Sequence, residues 1–361
     1  MAIKSYKGFD KNLRCRGFQY KIGGIYEMDG KIKMCNRGFH ACESPFDVFD
    51  YYTMIDSRFC EVEQDGNISK WDRGTKICSS KIKIKAELKL ADMINLGVEW
   101  LKEITSPEKI KTSIKDNSSG NNAQIGSSGY GAKIGSSGNN AKIGSSGYGA
   151  KIGSSGDGAQ IGSSGNNAKI GSSGYGAKIG SSGYGAQIGS SGYDARIGSS
   201  GNNAKIGSSG YGAQIGSSGY DAQIGSSGNN AQIGSSGNNA KIGSSGDGAK
   251  IGSSGYDAQI GSSGDGAQIG SSGYGAKISS SGYGAKIDST GEDCVIMCAG
   301  INSVAKASKG SWVTLSEWSY SEEKQRYIPI CVKTEFVDGE KIKADTYYSL
   351  KGGVFVEWIN D

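Results

Sequence analysis

The sequence predicts a mainly β protein: a two-sided parallel β-solenoid of 18 residues per coil, each coil made of two 9-residue units, with an N-terminal α+β domain and a C-terminal β cap. Three observations carry this prediction. The chain has 61 Gly and only 3 Pro in 361 residues, and the glycines recur at fixed positions rather than scattering as in a disordered linker. A nine-residue unit, A-x-I-G-S-S-G-x-x, repeats without insertion from Ala123, its nineteenth alanine being Ala285. All 8 Phe and all 5 Trp lie outside the repeats, so only the two flanks have the bulk for conventional small cores.

Within the unit, the ninth position is Gly ten times, Asn five times and Asp four times. These are the residues that most readily take positive φ, so the ninth position is expected to be a left-handed turn residue. Gly at the seventh position never varies from Gly129 to Gly291, which fits a second turn position. The fourth position changes to Ser279 and Asp288 near the end, and reads as a small outward residue. The first six residues then form a short strand, with Ala, Ile and the first Ser inward and the Lys/Gln, the first Gly and the second Ser outward. Nine residues would close too tightly to enclose one Ile, whereas eighteen give two facing strands and two turns. Nineteen units make nine and a half coils, roughly 45 Å at a strand spacing of about 4.8 Å.

The flanks set the domain boundaries at 1–113, 114–311 and 312–361. In the first segment "KIKIKAELKL" alternates, placing Ile82, Ile84, Ala86, Leu88 and Leu90 on one strand face. "ADMINLGVEWLKEI" follows with Met93, Ile94, Val98 and Leu101 at helical spacing. "ESPFDVFDYY" offers Ser44 as N-cap and Pro45 at the first helical position, with Val48, Phe49 and Tyr52 to one side. Short strands are expected near Ile3–Phe9, Phe18–Ile22 and Lys31–Cys35. A degenerate lead-in, "IKDNSSGNN", starts at Ile114 in step with the repeat. After Ile287 the pattern decays through "CVIMCAGIN" at Cys294 and "SVAKASKGS" at Ser303 to "WVTLSEW" at Trp312, each nine residues on. The last segment predicts three strands with turns at Asp338-Gly339 and Gly352-Gly353. Caps at both ends cover the open strand edges and disfavour end-to-end filaments.

Net charge is +5, and all of it falls between Ala123 and Ile287, which hold eleven Lys/Arg against six Asp. The first residues contain no apolar run of signal-peptide type and no later stretch approaches a membrane span, so a cytoplasmic location is expected. The eight cysteines show no paired metal-ligand spacing and no dense framework, which suits reduced, packed thiols.

Two positions face outward and vary. The second is Lys/Arg in eleven units and Gln in eight, including Lys133, Lys151, Lys178, Arg196 and Lys277. The eighth is Tyr in ten, including Tyr130, Tyr148, Tyr175, Tyr184, Tyr193, Tyr211, Tyr220, Tyr256 and Tyr274. Turn tyrosines offer an edge for a protein partner or for stacking on bases, and stacked lysines offer a stripe for phosphates. The bland readings are ordinary surface tyrosines and a solvated strand face whose Gln dilutes like-charge repulsion. The unit lacks the Thr ladders of an ice-binding face. In the first segment the lone His40, with Cys35 and Cys42, has irregular spacing and no fourth metal ligand, so no metal or cofactor is expected.

Three resemblances bear on these residues. The period resembles that of the calcium-binding β-roll of secreted toxins, but only seven of nineteen units carry an Asp at the variable turn positions, against one in essentially every turn of that family. The order strand, "GFHAC", helix after an early "YKGF" looks similar to ADP-ribosyltransferase folds, which implies an NAD pocket at His40 with Glu61 or Glu63 as the acid. "YKGFDKNLRCRGFQYKIGGIYE", "GFHACESPFDVFDYY", "SRFCEVEQDG" and "SSKIKIKAEL" resemble an uncharacterised N-terminal domain of bacterial and bacteriophage proteins that is often followed by Gly/Ser-rich repeats. That likeness implies a phage or mobile-element setting and carries no active site.

Taken together, these readings favour a non-enzymatic interaction protein that binds a protein partner, a host factor, through its repeated Lys/Gln and Tyr/Asn positions. The alternatives are an ADP-ribosyltransferase-like head on a spacing or targeting rod, and a nucleic-acid-binding rod. No membrane partner is expected, and the oligomeric state is a monomer or a side-by-side dimer.

Overall fold

The computed structural model describes residues 2–54, 57–71, 74–105, 117–118 and 120–359. These fall into two compact units, one of Met1–Ile170, Ala177–Ala186 and Gly198–Ser200, the other of Gly171–Gly176, Gln187–Ile197 and Gly201–Asp361. The boundary at 113 lies outside the described residues.

The head contains β1 (Ile3–Phe9), β2 (Arg14–Cys15), β3 (Phe18–Gln19), β4 (Ile25–Glu27), β5 (Phe39–Cys42), α1 (Pro45–Val48), β6 (Arg58–Lys70), β7 (Lys76–Leu88) and α2 (Leu90–Ile104). Its sheet runs β4-β7-β5-β1-β6, and a further β7–β6 pairing closes it on itself. Ile82 and Ile84 are buried as the alternation requires, but Ala86 is exposed. The register between β6 and β7 shifts between Glu61 and Val62, and this bulge ends the alternation. α2 buries Met93, Ile94, Val98 and Leu101 as the helical spacing demands. The strand expected at Lys31–Cys35 is absent; only a Lys33–Arg37 bridge forms there, and Cys35 takes φ 62°.

The repeats, extended by the lead-in and by the decayed strands after Ile287, form a parallel β-solenoid of about 11 turns with strands about 18 residues apart. Successive units alternate between two 13-stranded sheets, so that Ile134 pairs with Ile152 and Ile143 with Ile161. Repeat alanines from Ala141 onward are fully buried, with the isoleucines and first serines beside them. From Ser145 to Ser289 the inward hydroxyls meet no bonding partner, so the narrow core carries a polar line among its Ala and Ile. The lead-in keeps step, Asn117 pairing with Gly135.

Both turn positions obey physics, for different reasons. All nineteen ninth-position residues have positive φ, from Gly131 (64°) to Asp293 (54°). None of the seventh-position glycines does. Their invariance is steric: a Cβ on Gly210 would fall on the carbonyl oxygen of Gly192 one coil earlier, and one on Gly219 on that of Gly201.

Beyond the repeats, Val295–Cys298 and Val304–Ala307 continue the two sheets. The next step is shorter than expected. Trp312 pairs with Val295 rather than with Cys294, so Ser311 takes the inward first position, its hydroxyl accepting the Cys294 N–H at 3.1 Å. This slip turns Trp312 outward and Val313 and Leu315 inward. The chain then closes with antiparallel strands Trp312–Ser321 on Arg326–Phe336 and Tyr348–Lys351 on Val354–Glu357, the latter turning through Gly352 (φ 58°) and Gly353 (φ 71°).

Candidate functional site

The head holds a cavity of about 910 Å³ built from five separate segments. β1 supplies Tyr6 and Lys7, the β2–β3 hairpin Cys15, Arg16 and Phe18, and β4 Tyr26 and Glu27. The stretch from Cys35 to Tyr52 adds Arg37, His40, Tyr51 and Tyr52, and β7 adds Lys76. The hairpin turns on Arg16 (φ 51°) and Gly17 (φ 79°), which sets Cys15 opposite Phe18. Phe18, Tyr20 and Tyr26 pack edge to face, with ring centroids 4.8–5.4 Å apart.

Lys7 is the buried cation of this cavity, only 5% exposed. Its Nζ donates to the His40 carbonyl at 2.9 Å and to the Cys15 sulfur at 3.5 Å, and burial pushes its pKa down. Tyr52 donates its hydroxyl to the same sulfur at 3.0 Å, and burial raises the phenol. The Lys76 ammonium lies 4.1 Å from the centre of the Tyr51 ring. His40 accepts the Cys35 N–H at Nε2 (2.9 Å), which places its proton on Nδ1. Burial first, then the charges of Lys76, Lys7 and Arg16, hold its pKa at about 4, so the ring is neutral at physiological pH. Among the described residues none of Lys7, Arg16, Arg37 and Lys76 pairs with a carboxylate, and Glu27 is paired with Lys81 at 3.2 Å. The arrangement can bind an anion and stack an aromatic ring.

Of the head's three candidate site residues, His40, Glu61 and Glu63, only His40 lines this cavity, where Cys35 and Cys42 join it. Glu61 and Glu63 stand on β6 and pair with Lys4 (2.9 Å) and Lys85 (2.8 Å), so the structure does not bring either acid to His40. Lys7, Cys15, Arg16 and Lys76 were not singled out as site residues, and Tyr52 was read only as part of a helix face, because only the fold assembles them. The Arg16-Gly17 turn pair between short β-stretches was the one local signal.

On the solenoid, α2 and α1 pack onto one sheet. Built on the fourth-position glycines there, a Cβ would meet Leu101 Cδ1 at 3.0 Å from Gly162 and Ile94 Cδ1 at 2.8 Å from Gly198, and would overlap the Phe46 ring from Gly180. Second-position residues beneath the head are claimed by it. Lys178, expected as a surface contact, is buried and bonds Asp47 at 2.8 Å and Asp50 at 2.7 Å. Gln160 donates to Asp47 at 3.3 Å and Lys142 lies over the Trp100 ring at 5.4 Å. Arg196, in the second unit, is half-buried. On the other sheet the same glycine row is open, with nothing within 4 Å of a Cβ at Gly153, Gly171, Gly189, Gly207, Gly225 or Gly243. Lys133, Lys151, Lys169, Lys205, Lys241 and Lys277 stand exposed on that sheet.

The tyrosines do not form one edge. Since units alternate sides, Tyr130, Tyr148, Tyr184, Tyr220, Tyr256 and Tyr274 fall on one set of turns, and Tyr175, Tyr193, Tyr211 and Tyr283 on the other. They are also tied from coil to coil. The Tyr148, Tyr211 and Tyr283 hydroxyls accept from Asn167, Asn230 and Asn302, nineteen residues on, at 2.8, 2.6 and 2.9 Å. Where that ninth-position partner is Gly, the ring packs on the next tyrosine instead, as in Tyr130 on Tyr148 (5.4 Å), Tyr193 on Tyr211 and Tyr256 on Tyr274. Asn and Asp at the eighth position accept the N–H eighteen residues on, as Asn202 does from Tyr220 at 2.9 Å.

All eight thiols are free, and five are buried. No helix among the described residues is long and apolar enough to cross a membrane, and no group of His, Cys, Asp or Glu among them could hold a metal ion. No curated protein and no solved structure matches the chain. Residues 3–96, from the start of β1 into α2, match a family described as a domain of unknown function, DUF7666, and it is to that family that the head is similar.

Proposed function

We propose that the chain is a non-enzymatic interaction protein whose solenoid binds a protein partner through the sheet that the head leaves free. The supporting observation is the contrast between the two sheets. From Gly162 to Gly198 one fourth-position row is filled by Leu101, Phe46 and Ile94, whereas the other is open from Gly153 to Gly243 and flanked by exposed lysines. Second-position residues of that open sheet, from Lys133 to Lys277, are Lys or Gln without a carboxylate. The partner therefore carries an acidic face. A phage or mobile-element setting, with a host protein as partner, belongs to the same proposal. The ADP-ribosyltransferase reading draws no support from Glu61 and Glu63, which lie away from His40.

Capture from bacterial extract with the full chain and with its K205E/K241E/K277E variant tests this. A nuclease-resistant protein retained by the parent and lost from the folded variant is the expected result. Equal capture by both would refute it, and loss on nuclease treatment would make the ligand a nucleic acid.

A further inference from the structure

We propose that the head cavity is a nucleotide-binding site, with the phosphates on Lys7, Arg16 and Lys76 and the base against the aromatic wall of Phe18, Tyr26 and Tyr51. Four cations line the cavity, and its one acid, Glu27, is already neutralised by Lys81. A buried ammonium is costly unless an anion meets it, yet Lys7 finds a carbonyl, a sulfur and the Phe9 and Tyr20 rings but no carboxylate among the described residues. Phosphate oxygens are the groups that a cluster of Lys and Arg without carboxylates is suited to hold. Phe18 and Tyr51 are about half exposed in the cavity lining, and although Lys76 covers one face of Tyr51, ring surface is left for a planar partner. The volume of about 910 Å³ is in the range of pockets that enclose a cofactor-sized molecule. A simple sugar phosphate would leave the rings unused. The neutral His40, its Nε2 engaged by the Cys35 N–H, adds no charge of its own.

Titration calorimetry on the full chain with ATP, GTP, CTP and UTP, each beside its nucleoside, and with tripolyphosphate tests the site. The expected result is one-to-one binding of at least one nucleotide, at least tenfold tighter than its nucleoside or tripolyphosphate. Lys7→Met and Arg16→Ala should each weaken it at least tenfold, while Lys351→Gln in the C-terminal cap leaves it unchanged. Arg16 is exposed, so its variant gives the answer if Lys7→Met fails to fold, as checked by thermal melting. Three outcomes would overturn the proposal: no binding of any of the four at millimolar concentration, tripolyphosphate binding as tightly as the nucleotide, or undiminished affinity in Arg16→Ala.

Discussion

Gly180 and Gly189 are the same letter of adjacent repeats, and their surroundings differ entirely. A methyl group on Gly180 would overlap the Phe46 ring, whereas one on Gly189 meets nothing. Gly180→Ala should therefore cost about 1–3 kcal/mol as an overpacked contact, and Gly189→Ala should stay within about 0.5 kcal/mol of the parent. Denaturant midpoints of the two variants check this, and equal midpoints would contradict the packing argument. What sequence could show at this scale was whatever the coil imposes on every unit: inward Ala and Ile, and a left-handed ninth residue. It could not separate Gly180 from Gly189, because the difference comes from a phenylalanine more than a hundred positions away. For the same reason, the irregular Lys and Gln of the second position looked like dilution of charge. Lys178 and Gln160 are instead matched to Asp47.

Between elements, the seam of α1 and α2 on the solenoid has Lys178 as its polar centre. Burial alone would lower the Lys178 pKa, but Asp47 and Asp50 outweigh it and raise it. Lys178→Met would leave Asp47 without its cation, although Thr75 still donates to it at 2.7 Å and Gln160 at 3.3 Å. The loss should be about 3 kcal/mol, the lower end for breaking a buried pair, and a fall in chemical stability at pH 7 measures it. The pH sign follows from the raised pKa. The contribution is fully present below the unfolded value of 10.5 and disappears as pH rises through the higher folded-state value. The stability difference between parent and variant should thus be flat through neutrality and shrink only in strong alkali. α2 itself was legible from spacing, including Met93, Ile94, Val98 and Leu101 on its buried side, though not the buried Gly97. Its second contact surface was not, because a helix that buries residues on two sides reads the same whichever partners cover them.

At the scale of the molecule, the head is not self-sufficient. Ile94 and Leu101 are fully buried, and both touch solenoid glycines. A fragment of residues 1–105 should bind a hydrophobic dye and self-associate, while the full chain should leave the dye dark. A monomeric, dye-silent 1–105 fragment would show that the solenoid contact is dispensable. The solenoid was legible from sequence because its period is local and repeated. The cavity was not, since its cations come from β1, a hairpin, a loop and β7, and neither composition nor spacing brings them together. The shortened step before Trp312 was likewise hidden, because a one-residue change in a turn leaves the strand letters plausible in either register.

The half-coil unit also bears on how the gene can change. Tandem copies invite slippage during replication, and each event adds or removes a whole unit. Gain or loss of two units returns every later strand to its own sheet, while a single unit transfers all of them to the other. Length is then inherited with a parity. A single-unit exchange would also change which tyrosines meet an asparagine and which a glycine nineteen residues on.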